Sequence, residues 1–414
     1  MKVGIQPLLN DSHLDANQVN SQRQLSVSIS AVSSGAERNL PLNLCLILDQ
    51  SGSMHGRPMD TVKQAAMRLV ERLSPDDRLS VIVFNHRAKV LIENQSVEDI
   101  EKVRRKINRL SADGGTAIDE GMKLGIEEVA KGKTDTVSQI FLLTDGENEH
   151  GNNKKCLKYA EIASEYNITL NALGFGANWN QDVLEKISDA AGGTLSYIER
   201  PEQAIDEFGR LFTRIQSVGL TNSYLLLELM SGVRLADLKP VAQVAPETIE
   251  LPLQQEGSRF MVRLGDLMTD AERVVLANLY ITQQPAGRQT IAKVQIRYDD
   301  PALGQEKLLS EKIPVEAEFQ QVYQPAPNQE VQKSILALGK YRQTQLAEQK
   351  LQQGDRAGAA TMLQTAAKTA LQLGDSSGAT VLQTSATRLQ EGEELSESDR
   401  KKTRIASKTM LQDS

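Results

Sequence analysis

The stretch Leu42-Asn-Leu-Cys-Leu-Ile-Leu48-Asp49-Gln-Ser51-Gly-Ser53-Met54 runs from a short apolar segment straight into a loop of oxygen-bearing side chains. An apolar run this short and dense suits a strand buried on both faces. More such runs follow at Leu79–Phe84, Gln139–Leu143, Ile168–Gly174 and Thr194–Ile198. Helix-period segments separate them, at Pro58–Leu73, Val97–Leu110, Ala117–Ala130, Lys154–Tyr166, Asp182–Ala191 and Glu202–Val218. The alternation predicts an α/β domain over residues 41–218, a doubly wound and mostly parallel sheet with helices on both faces. Pro58 suits a first helical turn and Gly192-Gly193 a helix exit.

On either side the pattern is different. In residues 1–40, Leu25, Val27, Ile29 and Ala31 alternate with Ser26, Ser28 and Ser30, the period of a half-buried strand. Residues 219–320 return to that pattern, at Tyr224–Met230, Thr248–Leu253, Arg259–Leu264, Arg273–Ile281, Thr290–Tyr298 and Lys307–Ala317, with turn residues between. Short strands with frequent turns predict an antiparallel β-sandwich. The N-terminal strands have no β partner nearby in sequence, so they are expected to join the later sheet, with the α/β domain inserted in the sandwich. Residues 328–390 read as a C-terminal α-helical hairpin or three-helix unit (Val331–Gln353, Ala357–Leu373, Ser377–Gln390). In it Gly354-Asp355 is echoed by Gly374-Asp375, each a helix exit followed by an N-cap. Residues 391–414 are charged and rich in Ser and Thr, and are expected to be a disordered tail.

The chemistry concentrates at three places. Asp49-Gln-Ser51-Gly-Ser53 follows one core strand, Asp113-Gly-Gly-Thr116 precedes a helix, and Thr144-Asp145-Gly146 follows another core strand. Ligands bind beyond the carboxyl ends of the strands in such sheets, where strand order reverses. Two carboxylates and three hydroxyls suit a hard cation, which takes oxygen donors and keeps some of its waters. Asp49, Ser51, Ser53, Thr116 and Asp145 are therefore the candidate metal ligands, for Mg²⁺ with Mn²⁺ and Ca²⁺ as alternatives. A shell dominated by hydroxyls leaves the ion electrophilic, so that an acidic group from another molecule can complete it. The same loop is no EF-hand, because Met54 and Asp60 stand where that motif needs Gly and Glu.

On these motifs, residues 41–218 resemble a von Willebrand factor A domain with its metal-ion-dependent adhesion site. The resemblance implies that Ser51, Ser53 and Thr116 bind the metal directly and that Asp49 and Asp145 act largely through water. It also implies one antiparallel edge strand. The flanking sandwich and helices are similar to bacterial and cyanobacterial proteins of this superfamily, and loosely to the sandwich-plus-A-domain layout of vesicle-coat proteins.

The bulk composition is that of a globular protein: 414 residues, 40% hydrophobic and 24% charged. Forty-seven basic against fifty-four acidic residues give a net charge of −7, which disfavours nucleic acid or anionic lipid as the main partner. The basic run Lys102, Arg104, Arg105, Lys106 and Arg109 shares its helix with Asp99 and Glu101 and reads as a solvated face. Cys45 and Cys156 form no disulfide or zinc pattern, and the four histidines have no ligand spacing. No signal peptide and no run of about 18 apolar residues is present, so the expected compartment is a bacterial cytoplasm. Gly132-Lys-Thr134 lacks the first glycine of a phosphate loop, Gly174-Phe-Gly176 lacks the third glycine of a dinucleotide loop, and Ser53 sits in no nucleophile elbow.

These readings point to a non-enzymatic, metal-dependent docking module for a protein partner that donates Glu or Asp. An adaptor subunit for a separate AAA+ ATPase, of the MoxR or chelatase kind, is the alternative. A metal-dependent hydrolase ranks behind both, since no general base is evident. His55, His86, Glu147 and Trp179 are candidate rim contacts for the partner, along with Arg57, Asn85 and Asn148, because all lie in loops after core strands. Phosphorylation of Thr403 or Thr409 would create an epitope for a phosphopeptide-binding partner; an inert solvated tail is the alternative.

Overall fold

The structure, a computed structural model, describes residues 1–32 and 40–408. The chain divides into two compact units, and the second, built from Gly35–Thr221 with Asp299–Glu306, is enclosed in sequence by segments of the first. The chain opens with β1 (Lys2–Leu9), β2 (His13–Asp15) and β3 (Asn20–Val32).

The α/β unit then supplies β4 (Leu42–Asp49), α1 (Arg57–Val70), β5 (Arg78–Phe84), β6 (Ala88–Ser96), α2 (Ile100–Asn108), α3 (Ile118–Lys131), β7 (Val137–Thr144), α4 (Asn153–Glu165), β8 (Thr169–Phe175), α5 (Gln181–Ala190), β9 (Gly192–Ile198) and α6 (Gln203–Gln216). The sheet order is β6-β5-β4-β7-β8-β9. Neighbours are parallel except β6, which runs antiparallel to β5. Every residue of β4 and β7 is buried, as strands covered by helices on both faces require. β6 is absent from the apolar runs because it is the sheet edge, where exposed residues such as Lys89 and Glu93 interrupt the apolar ones. From β4 the chain winds outward to β5 and β6, then crosses back to β7, β8 and β9. Strand order thus reverses between β4 and β7, which places a crevice at their carboxyl ends.

The chain continues with β10 (Val218–Leu229), β11 (Val233–Leu235), β12 (Val241–Ala245), β13 (Ile249–Glu250), β14 (Leu253–Glu256), β15 (Arg259–Met268), β16 (Arg273–Thr282), β17 (Gly287–Asp300), β18 (Gln305–Leu309) and β19 (Ile313–Gln320), most of whose residues belong to the first unit. One sheet has the order β1-β3-β16-β12-β13 and the other β14-β15-β10-β17-β19-β2. The N-terminal strands do join the later ones: β3 pairs antiparallel with β1 and with β16, where Ile29 faces Arg273. β2 runs parallel to β19. Ser26 and Ser28 are buried, although their alternation reads as a solvent face. The cause is a helix, since Val331 and Ala337 pack with Val244 and Leu276 on that sheet.

Among the described residues the helical part holds four helices, one more than the three-helix unit expected from sequence: α7 (Gln329–Gln352), α8 (Arg356–Gln372), α9 (Ser376–Gln390) and α10 (Glu397–Lys408). The Gly-Asp echo is a repeated cap. Gly354 and Gly374 have φ of 81° and 80°, and Asp355 and Asp375 accept from the amides of Gly358 and Gly378. α10 corrects the expected disordered tail. The Ser396 hydroxyl accepts from the Asp399 amide at its start, and Lys401, Thr403 and Ser407 are buried. Thr403 Oγ1 lies 2.8 Å from Ser385 Oγ, so it is an internal contact and no exposed phosphorylation site. Thr409 lies outside the described residues.

Among the described residues no helix is long and apolar enough to cross a membrane.

Candidate metal centre

β4 delivers Asp49 to the crevice, fully buried. A short 3₁₀ turn, Gly52–Met54, follows, and Met54 plugs it into the core. This turn brings Ser51 and Ser53 together, their hydroxyl oxygens 3.1 Å apart. Across the seam β7 delivers Thr144 and Asp145. Asp145 Oδ1 accepts from Ser53 Oγ at 2.7 Å and from Ser51 Oγ at 3.4 Å. Asp49 accepts from the Ser51 amide at 2.7 Å through Oδ1, and from the Thr144 hydroxyl at 2.6 Å through Oδ2.

The third piece, residues 113–117, is fastened by its backbone. Gly52 N–H donates to Gly114 O at 2.8 Å and Asp113 N–H to Gln50 O at 2.7 Å. On the other side Ala117 N–H donates to Asn85 O and His150 N–H to Thr116 O. Thr116 is thereby turned inward: a methyl built on Gly146 would stand 3.2 Å from Thr116 Oγ1 and 4.0 Å from Ser53 Oγ. All five predicted donors thus converge on one crevice.

The electrostatics follow from burial. Desolvation pushes the Asp49 carboxyl up to about 6; the hydrogen bonds from Thr144 and Ser51 oppose this, and the Asp145 charge adds to it. Burial likewise raises Asp145, against the Ser53 and Ser51 hydroxyls. Hydroxyl and amide donors surround both carboxylates, and no described lysine or arginine forms an ion pair with either. Two buried carboxylates beside three hydroxyl oxygens fit a hard divalent cation, whose charge would offset theirs.

The rim residues separate into two groups. His55, His86 and Glu147 are exposed in the loops around the crevice. Trp179 is not on the rim, and its assignment as a partner contact is corrected. Its Nε1–H donates to Gly176 O at 2.8 Å, its indole lies against the bare backbone of Gly174, and Tyr197 packs 5.8 Å away. The glycines at 174 and 176 let the loop fold the ring back into the core. Asn148 is also engaged internally, accepting from the Ile118 amide at 2.7 Å at the start of α3. His150, which no local signal in the sequence marks, reaches this loop through its amide bond to Thr116 O.

Comparison with known proteins gives the lineage. Protein sll0103 of Synechocystis sp. is 60% identical over 412 residues, an alignment that covers 100% of this chain and 98% of that one. The chain belongs to the Sll0103-like family. The model of the Sll0103-like, C-terminal alpha-helical domain matches residues 329–413, which include α10, and the von Willebrand factor type A domain model matches 43–210. Inter-alpha-trypsin inhibitor heavy chain H4 of Bos taurus is 29% identical over 165 residues, which cover 37% of this Sll0103-like chain and only 18% of the bovine protein. Among solved structures, von Willebrand factor type A from Catenulispora acidiphila has a TM-score of 0.81 at 17% identity, covering 99% of this chain and 97% of that one. The ArnB paralog VWA2 from Sulfolobus acidocaldarius has a TM-score of 0.57 at 16% identity, covering 99% and 98%. Both likenesses concern the fold alone, and both span nearly the whole chain rather than the A domain only.

Proposed function

We propose that this protein is a divalent-cation-dependent docking module and not an enzyme. Asp49, Ser51, Ser53, Thr116 and Asp145 would hold Mg²⁺ in the crevice between β4 and β7, and a Glu or Asp of a protein partner would complete its shell. The observation that carries this reading is the pair of buried carboxylates, Asp49 and Asp145, bonded to hydroxyls and in ion-pair contact with no lysine or arginine among the described residues. Such a pair is costly in an apolar surrounding, and a divalent cation offsets that cost. Both carboxylates already accept hydrogen bonds that fix their orientation, which suits holding an ion better than deprotonating water. Ser53 is exposed, so the hydroxyl side of the site is open to a second molecule. Domains of this type are protein-interaction modules that often use a metal.

The test has two arms. Calorimetric titration with Mg²⁺ should show one site in the parent chain and none in Asp49→Ala. Affinity capture from native lysate, in Mg²⁺ and then in EDTA, should release a protein only in EDTA. A partner retained equally by Asp49→Ala and by EDTA-treated protein would overturn the reading.

A further inference from the structure

Residues 113–116 read Asp-Gly-Gly-Thr, and each glycine has an imidazole lying on it. A Cβ at Gly114 would stand 2.6 Å from His86 Nδ1, and a Cβ at Gly115 would stand 2.2 Å from both Nδ1 and Cε1 of His150. Real side chains never approach so closely, so each ring occupies the space a side chain would take. Gly114 also has a φ of 77°, which by itself favours glycine. Gly115 has no such backbone reason, and the His150 ring lies where its side chain would stand, so a side chain there would have to displace the ring.

The rings are joined to the backbone that fixes the same loop. His150 N–H donates to Thr116 O at 2.9 Å, and Asn85, next to His86, accepts from Ala117 N–H at 2.7 Å. Both imidazoles are otherwise exposed. Backbone hydrogen bonds fasten Asp113, Gly114, Thr116 and Ala117, and the rings cover the two glycines between these anchors, where the chain has no side chain of its own to restrict it. Any freedom left to this stretch would blur the direction of Thr116 Oγ1, which follows the glycines directly.

We propose that His86 and His150 are positioning residues that clamp the Gly114-Gly115 backbone and so hold Thr116 towards the cation. This rests on the reading of the crevice as a cation site. The role is one of steric fit: it requires neither ring to touch the metal or to change its charge.

The experiment uses the full chain and two readouts: Mg²⁺ affinity by calorimetry, and amide exchange of residues 113–117 in EDTA. His86→Ala and His150→Ala should each weaken Mg²⁺ binding about fivefold or more, the scale of fixing one backbone residue. Both should speed exchange in the loop without metal, while Lys158→Ala, on the exposed face of α4, changes neither. Gly115→Ala should push the His150 ring away and lose as much as His150→Ala, and the double variant should lose no more than either single one. Losses that add in the double variant, or histidine variants that bind and exchange like the parent, would overturn the clamp. A parent that fails to bind Mg²⁺ while the histidine variants still speed exchange would overturn the cation reading and leave the clamp standing.

Discussion

Thr144 donates its hydroxyl to Asp49 Oδ2 at 2.6 Å, across the seam between β4 and β7 where the strand order reverses. The two strands are parallel neighbours there, Leu48 opposite Leu143, so these side chains come from adjacent carboxyl ends. The seam that creates the crevice thus also fixes the most buried carboxylate in it.

Thr144→Val keeps the shape of this side chain and removes the donor. A hydrogen bond to a charged group contributes about 1.5–3 kcal/mol, so the metal-free α/β unit should lose roughly that much stability. Urea unfolding in EDTA, followed by tryptophan fluorescence, checks it. Because Trp179 is the sole tryptophan, the signal reports this unit alone.

The raised Asp49 carboxyl sets a pH dependence. Its folded-state value of about 6 lies above the ordinary 3.8, so the metal-free fold binds a proton that the unfolded chain gives up first. The contribution is fully present below the ordinary value and is lost as pH rises through about 6. In EDTA the fluorescence midpoint should therefore fall over that window, and saturating Mg²⁺ should remove the fall. An Asp49→Asn chain that shows the same decline would assign it to another group.

Trp179 is buried against Gly174. Its emission should be blue-shifted and shielded from acrylamide, with or without Mg²⁺. Trp179→Ala should destabilise the unit by about 3–5 kcal/mol, as large-to-small changes in cores do, and should leave Mg²⁺ affinity unchanged. A surface tryptophan would show none of this.

Lys340 and Asp375 form a buried ion pair at 2.9 Å in the helical part. Lys340→Met strands the carboxylate that caps α9, so it should cost about 3–5 kcal/mol. Lys340→Met with Asp375→Asn should recover part of that loss, because the charge is then gone and the cap oxygen stays. Thermal unfolding by far-ultraviolet circular dichroism would compare the three chains.

Thr403→Glu tests the correction at the C-terminal helix. The Thr403 hydroxyl is paired with Ser385 in the interior, so a carboxylate there should loosen α10. Faster proteolysis near residue 400 is the expected outcome, and an unchanged digest would argue for an accessible site.

How much of this the sequence discloses depends on how local the cause is. Asp49, Ser51, Ser53, Thr116 and Asp145 are legible because each lies within a few residues of a strand or helix end that periodicity locates. The insertion of the α/β unit is legible because β3 carries a half-buried pattern with no neighbour to pair with. Trp179 is misread because loop position says nothing about which way a side chain turns; Gly174 and Gly176 permit the inward turn, and only the fold shows it is taken. α10 is hidden by its charge content, although Ser396-x-x-Asp399 is a local helix-start signal. The contacts of His86 and His150 with the Gly-Gly loop have no local trace at all.

β1 and β3 pair with each other, but because Ile29 pairs with Arg273, and β2 with β19, the other edge of β3 and all of β2 meet their neighbours only after more than two hundred further residues have been made. On a ribosome β1 and β3 emerge able to pair only with each other, leaving one edge of β3 open, while residues 42–216 already contain everything their own sheet needs. Synthesis order therefore favours completion of the inserted unit before the one that encloses it. A truncated chain ending near residue 220 should hold a folded α/β unit preceded by the β1–β3 ribbon with the β3 edge that β16 would cover left open, a ready template for mispairing.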